Sequence, residues 1–141
     1  MNKSFALAAI TMLLGAAGCK TSNSTTATTT TTPTTTARTT DTFTGTVAVG
    51  GHDFHSFTVT ASGQIDVTLS AATPASAVMG VSIGTPGDTV CPAVAGGSVK
   101  AVAGVVVQLS GMASPGTLCV DVRDVGGQTS AVSYTVTVLH P

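Results

Sequence analysis

HDFHSFTVTASGQIDVTLS, residues 52–70, alternates apolar and polar side chains in two runs separated by the tripeptide ASG. Phe57 and Val59 share one face of the first run, and Ser56 and Thr58 point the other way. In the second run Ile65, Val67 and Leu69 alternate with Asp66, Thr68 and Ser70. A period of two places one face of each strand in a core and the other in water. Outward from this pair the same period recurs. Phe43, Val47 and Val49 share a face upstream, with Gly45 between them. Downstream follow Met79, Val81 and Ile83, then Val105, Val107 and Leu109, then Leu118, Val120 and Val122, and finally Val132, Tyr134, Val136 and Val138. The segments GGHD, TPGD, AGG, SPG and DVGG between them are turn chemistry. Helical periodicity is absent after residue 40. The pattern predicts an all-β fold, an antiparallel β-sandwich or jelly roll of about seven to eight strands, occupying residues 41–141.

The first 40 residues are different material. Lys3 precedes a mainly apolar stretch over residues 5–17, too short for a spanning helix, which needs about 20 residues. The small residues Ala16, Ala17 and Gly18 stand directly before Cys19, where a peptidase would clash with bulkier side chains. This arrangement resembles the bacterial lipobox, whose Cys becomes the first residue of the mature chain and carries lipid. The usual pattern has Leu three residues before the Cys, whereas here Ala16 holds that place and Leu14 lies earlier. The resemblance implies a lipoprotein signal peptide over residues 1–18 and lipidation at Cys19. An ordinary secretory signal with an incidental Cys is the alternative. One acyl chain anchors only marginally, at about 0.8 kcal/mol per buried methylene. The diacylglycerol and further acyl (palmitate-like) chain typical of lipobox cysteines would attach the protein to the membrane durably. Lys20 stands where some lipoproteins carry an Asp that retains them at the inner membrane. The expected address is therefore the cell envelope, and its outer membrane if the host has two. Residues 19–40 continue as a nearly unbroken Thr/Ser segment without a large apolar side chain. Such a segment cannot offset the entropy of ordering and is expected to be a disordered linker. As a coil, residues 21–40 would span roughly 25 Å, or about 65 Å when extended. It serves as a tether, open to O-glycosylation, or as a neutral spacer.

Export makes sense of the cysteines. With Cys19 acylated, Cys91 and Cys119 remain as an even pair in an oxidising compartment. Cys119 has the polar-facing parity of its strand, together with Asp121 and Arg123, and Cys91 lies in the loop TPGDTVCPAVAGG. A bridge would close a loop of about 29 residues, worth roughly 3–4 kcal/mol on the chain-entropy argument. Two free thiols, one of them reactive, are the alternative.

The opening FTGTVAVGGHDFHSFTVTASGQIDVTLS and the closing GTLCVDVRDVGGQTSAVSYTVTVLHP together resemble the bacterial pre-peptidase C-terminal domain. That family opens with an F-x-G strand, continues with D-x-[aromatic]-x-F-x-V and G-x-[apolar]-x-[apolar]-x-L, and closes on a Y-x-[apolar]-x-V strand. The matching positions are Phe43, Gly45, Asp53, Phe57, Val59, Gly63, Ile65, Val67, Leu69, Gly116, Tyr134, Val136 and Val138. His55 stands where the family more often has Tyr or Trp. The resemblance covers residues 42–139 and implies a compact β-sandwich that usually accompanies an exported catalytic domain as an accessory module.

Charge and chemistry narrow the function. Only 8% of residues are charged, there is no Glu, and the formal net charge is −1. Lys3, Lys20, Arg38, Lys100 and Arg123 are scattered, whereas phosphate backbones need clustered cations, so a nucleic-acid partner is not expected. His52, Asp53 and His55 invite a metal reading, but in a strand positions 52 and 55 face opposite ways. Asp53 is instead expected to tie down the turn, and His55 to fill a half-buried aromatic slot. Some relatives in the resembled family bind calcium, which needs six to eight oxygen ligands. Asp121 and Asp124 offer too few carboxylates, with Arg123 between them, and a hairpin turn over residues 121–127 explains the segment without an ion. No nucleophile elbow is present, the only acids are six Asp, and His140 is expected to be solvated at the chain end. No catalytic residue, metal ligand or cofactor is expected. The expected function is a non-catalytic binding or adhesion module, lipid-anchored at the cell envelope, with an envelope protein or glycan as partner. The alternative is a structural or accessory subunit of an envelope or secreted-enzyme assembly. Few aromatic side chains are available for sugar stacking, which weakens the glycan version. Outward faces of Thr and Ser leave sheet edges poorly protected, so an edge strand is expected to pair with a partner.

Overall fold

A computed structural model describes residues 37–141. Cys19, the signal segment and the Thr-rich segment up to residue 36 lie outside the described residues. Eight strands follow in order: β1 Thr39–Val47, β2 His52–Val59, β3 Gly63–Thr73, β4 Val78–Gly84, β5 Ala93–Val102, β6 Leu109–Ala113, β7 Gly116–Asp124 and β8 Val132–His140. They form two four-stranded sheets, β1-β8-β3-β6 and β2-β7-β4-β5, and every pairing is antiparallel. The fold is the expected β-sandwich.

The alternation that predicts the strands also builds the core. Val132, Tyr134, Val136 and Val138 of β8 are buried against Phe57 and Val59 of β2, Met79, Val81 and Ile83 of β4, and Val120 and Val122 of β7. β3 adds Ile65, Val67 and Leu69, then a bulge between Leu69 and Ala71 shifts its register. After that shift Ala72, rather than Ala71, is buried, because an extra residue inverts which side chains face inward. β4 is buried on both faces, since the small residues of Met-Gly-Val-Ser-Ile-Gly lie under neighbouring chain. A Cβ at Gly80 would come within 2.8 Å of Arg123 and Val125, and one at Gly84 would collide with the Pro92 carbonyl.

Several expectations are corrected. Val105–Val107 do not form a strand. They follow β5 as an irregular exposed segment, and only Leu109 of that run enters one. The segment lies along β3, where Gly104 N–H donates to the Leu69 carbonyl (2.9 Å) and Gln108 N–H to the Val67 carbonyl (3.0 Å). The Gln108 side chain fills the remaining valences, accepting from Leu69 N–H (2.7 Å) and donating to the Val102 carbonyl (2.8 Å). Conversely AGG, expected to be a turn, lies inside β5, where Gly96 takes φ +74° at an irregularity in the pairing with β4. Val49 is 55% exposed and lies beyond the end of β1, in the turn closed by Gly51 N–H on the Ala48 carbonyl (2.8 Å). Residues 121–127 are no hairpin turn, because β7 and β8 belong to different sheets and the connection crosses between them. β1 begins at Thr39, two positions before the first patterned residue, Asp41.

Candidate functional site

The residues that carry the sequence motif meet between the two sheets. Phe43 of β1 stacks on the His55 ring of β2, with centroids 4.9 Å apart and planes within 5°. Tyr134 of β8 donates its hydroxyl proton to Asp53 Oδ2 (2.8 Å). That proton being committed, the 2.9 Å contact between His55 Nε2 and the phenol oxygen requires His55 to carry hydrogen on Nε2 and donate it. Burial first, and then the Asp53 hydrogen bond, hold the Tyr134 hydroxyl far above its ordinary pKa, so it stays protonated. Gly45 leaves the room for this bond, because a Cβ there would collide with the Asp53 carboxylate. Asp53 therefore joins the sheets and does not tie the turn. His55 occupies a half-buried aromatic slot, as expected.

Asp124 ties the turn instead, its two oxygens accepting from Gly50 N–H and Gly126 N–H, both at 2.8 Å. Both glycines have positive φ, which exposes their N–H groups to one carboxylate at little steric cost. Asp121 is fully buried and accepts from His52 Nδ1 (2.9 Å) and Arg123 Nε (2.7 Å). Each carboxylate thus accepts from two donors of this chain. His52 and His55 take separate carboxylates on opposite faces of β2, and no group of three His, Cys, Asp or Glu side chains converges among the described residues.

The Cys91–Cys119 disulfide is formed, with its Cα atoms 6.0 Å apart. Cys119 has the outward parity expected of it, yet both sulfurs are buried because the loop carrying Cys91 lies over β7. The bridge, His52, Asp121 and Arg123 bound a polar hollow of about 360 Å³. His52, held through Nδ1 by Asp121, is one of the residues lining this hollow. Among the described residues no hydroxyl and no free thiol lines it.

His140, expected to be solvated, is only 4% exposed. Its Nε2 meets Asp41 Oδ2 at 3.1 Å and its ring lies 5.1 Å from that of Phe57, closing one end of the sandwich. Nearby, Asp66 accepts from Ser110 Oγ (2.6 Å), Gln64 Nε2 (2.6 Å) and Arg38 Nη2 (2.7 Å). These bonds, the Ser110 hydroxyl foremost, hold its pKa below the ordinary value of 3.8. The unfolded chain then takes up the proton first as pH falls. The contribution of Asp66 is complete above the ordinary carboxylate range and is lost as pH drops through its lower folded value. Urea melts from about pH 7 down to about pH 3 should lose stability at the acid end, and Asp66→Asn should flatten that limb.

A further concave feature is apolar. A cleft of about 450 Å³ opens between edge strands β5 and β6, where core side chains Ile65, Val67, Ile83 and Leu118 meet Val94 and Met112. Met112 is 80% exposed at its rim. Among the described residues, no charged and no aromatic one lines it. Periodicity does not reveal this cleft, because it depends on the gap between two sheets. The available signal is that residues 101–120 carry no charge at all.

No family model matches the chain, and neither a curated protein nor a solved structure does.

Proposed function

We propose that this protein is an exported, lipid-tethered cell-envelope protein whose β-sandwich is a non-catalytic binding module. Its contact with the membrane is the lipid on Cys19, and the Thr-rich segment is the tether. The signal-like N-terminus supports export, as does the disulfide, since such bridges persist in oxidising compartments. The observation that carries the binding function is the apolar cleft between β5 and β6. Concave, mainly apolar sites are where ligands bury most surface. Among the described residues, its lining lacks the aromatic rings that stack on sugars and the charges that recognise phosphates or carboxylates. It therefore fits an apolar, uncharged segment of an envelope protein better than a glycan. The resemblance to the pre-peptidase C-terminal domain supports the same accessory role.

A photo-crosslinking side chain at Val94, introduced into the full chain in growing cells, tests this reading. One predominant envelope adduct is expected, and Ala95→Trp, which fills the cleft from β5, should abolish it. An absent adduct, or one indifferent to Ala95→Trp, would overturn the assignment.

A further inference from the structure

The four sheet edges are not equally defended. β1 carries Asp41, β2 carries His52 and Asp53, and β5 carries Lys100 and an irregularity at its glycines. Charges and bulges of this kind are what keep edges from pairing. β6 pairs with β3 on one side and, among the described residues, with nothing on the other. The edge that runs through the preceding irregular segment and β6, residues 104–113, has no charged residue and no proline. It exposes Val105 at 97%, Val106 at 72%, Val107 at 46% and Met112 at 80%. An exposed apolar edge of this kind is a pairing site.

We propose that this edge joins two copies of the chain, β6 pairing antiparallel with β6 of a second copy about a twofold axis at Gly111. The unpaired backbone groups select a strand as occupant, since a lipid surface would leave them without partners. Charge selects a second copy. Twofold pairing sets the edge against a copy of itself, which repels where an edge is charged and costs nothing here. Centring on Gly111 places Leu109 opposite Ala113 and Met112 opposite Ser110, a large side chain against a small one each time. The same register carries Val107 toward Pro115 of the other copy, covering the valine segment. The two four-stranded sheets become one of eight. This inference goes beyond the proposed binding role and depends neither on the anchor nor on a cleft ligand.

Gly111→Cys tests it in the full chain, in membranes from producing cells. A Cβ at this position meets nothing within 4 Å, so the thiol enters without disturbing the fold. Residues directly opposite across an antiparallel pair have Cα atoms about 4.5–5.5 Å apart, within reach of a disulfide. Mild oxidation should give a reducible species of twice the chain mass from Gly111→Cys, and none from Thr58→Cys on β2. Adding Met112→Lys with Val106→Lys to Gly111→Cys should cut the yield at least about tenfold, because it charges both copies of the edge and sets the two position-112 lysines diagonal to each other across Gly111. A Gly111→Cys chain that stays monomeric overturns the proposal. So does one that crosslinks to a different protein, or as strongly with the two lysines present.

Discussion

Serine in place of Cys91 or Cys119 is expected to lower the stability of the domain by about 3–4 kcal/mol. The bridge spans 28 positions, and its main effect is to remove conformations from the unfolded chain. A second contribution comes from the folded side. The loop ahead of Cys91 bonds chiefly to itself, through Gly87 N–H on the Val90 carbonyl (2.8 Å) and Thr85 N–H on the Pro92 carbonyl (3.4 Å). Cys91 is what holds it over β7. Released, it would open the cover of Asp121, a fully buried carboxylate kept by His52 and Arg123. Urea unfolding of the oxidised protein and of Cys91→Ser would measure the difference. The double variant should cost no more than either single one, since all three lack the same bond. A loss below about 1 kcal/mol would assign the bridge a marginal role.

Gly45→Ala is expected to cost roughly 2–4 kcal/mol, although it adds one methyl group. The added carbon enters the space of the Asp53 carboxylate and lies 2.7 Å from the Tyr134 hydroxyl. Tyr134 is 3% exposed and cannot swing away, so the Tyr134–Asp53 bond must break or β1 must part from β8. The first course strands a buried hydroxyl, at about 1–3 kcal/mol, and the second opens the sheet. Gly111→Ala is the control. Nothing lies within 4 Å of its Cβ, and its effect should stay within about 0.5 kcal/mol. Equal losses at the two glycines would mean that strand propensity, rather than space, sets the cost.

Strands with one apolar face were legible because the period itself carries the information. Phe57 and Val59, or Val132 through Val138, could hardly be placed otherwise. β5 was not, since Ala-Gly-Gly has the composition of a turn and only its partner β4 keeps it extended. Val105–Val107 erred the other way. Val105, Val107 and Leu109 satisfy the strand pattern, but pairing is a tertiary property, and Gln108 takes over the neighbouring hydrogen bonds. The burial of His140 depends on Asp41, 99 positions away, which no local pattern encodes. The disulfide followed from pairing two cysteines in a chain expected to be exported, whereas the loop it holds over Asp121 did not. Of the candidate site, the sequence offered only the charge-free run over residues 101–120. The cleft comes from where two sheets fail to meet.

The account rests on export, acylation at Cys19 and the bridge that export permits. Intact-mass analysis of the protein extracted from membranes addresses all three together. The expected mass is that of a chain beginning at Cys19, increased by its lipid, and rising by two hydrogens when the Cys91–Cys119 bridge is reduced. A full-length, unlipidated chain whose mass does not change on reduction, recovered from the soluble fraction, would contradict it.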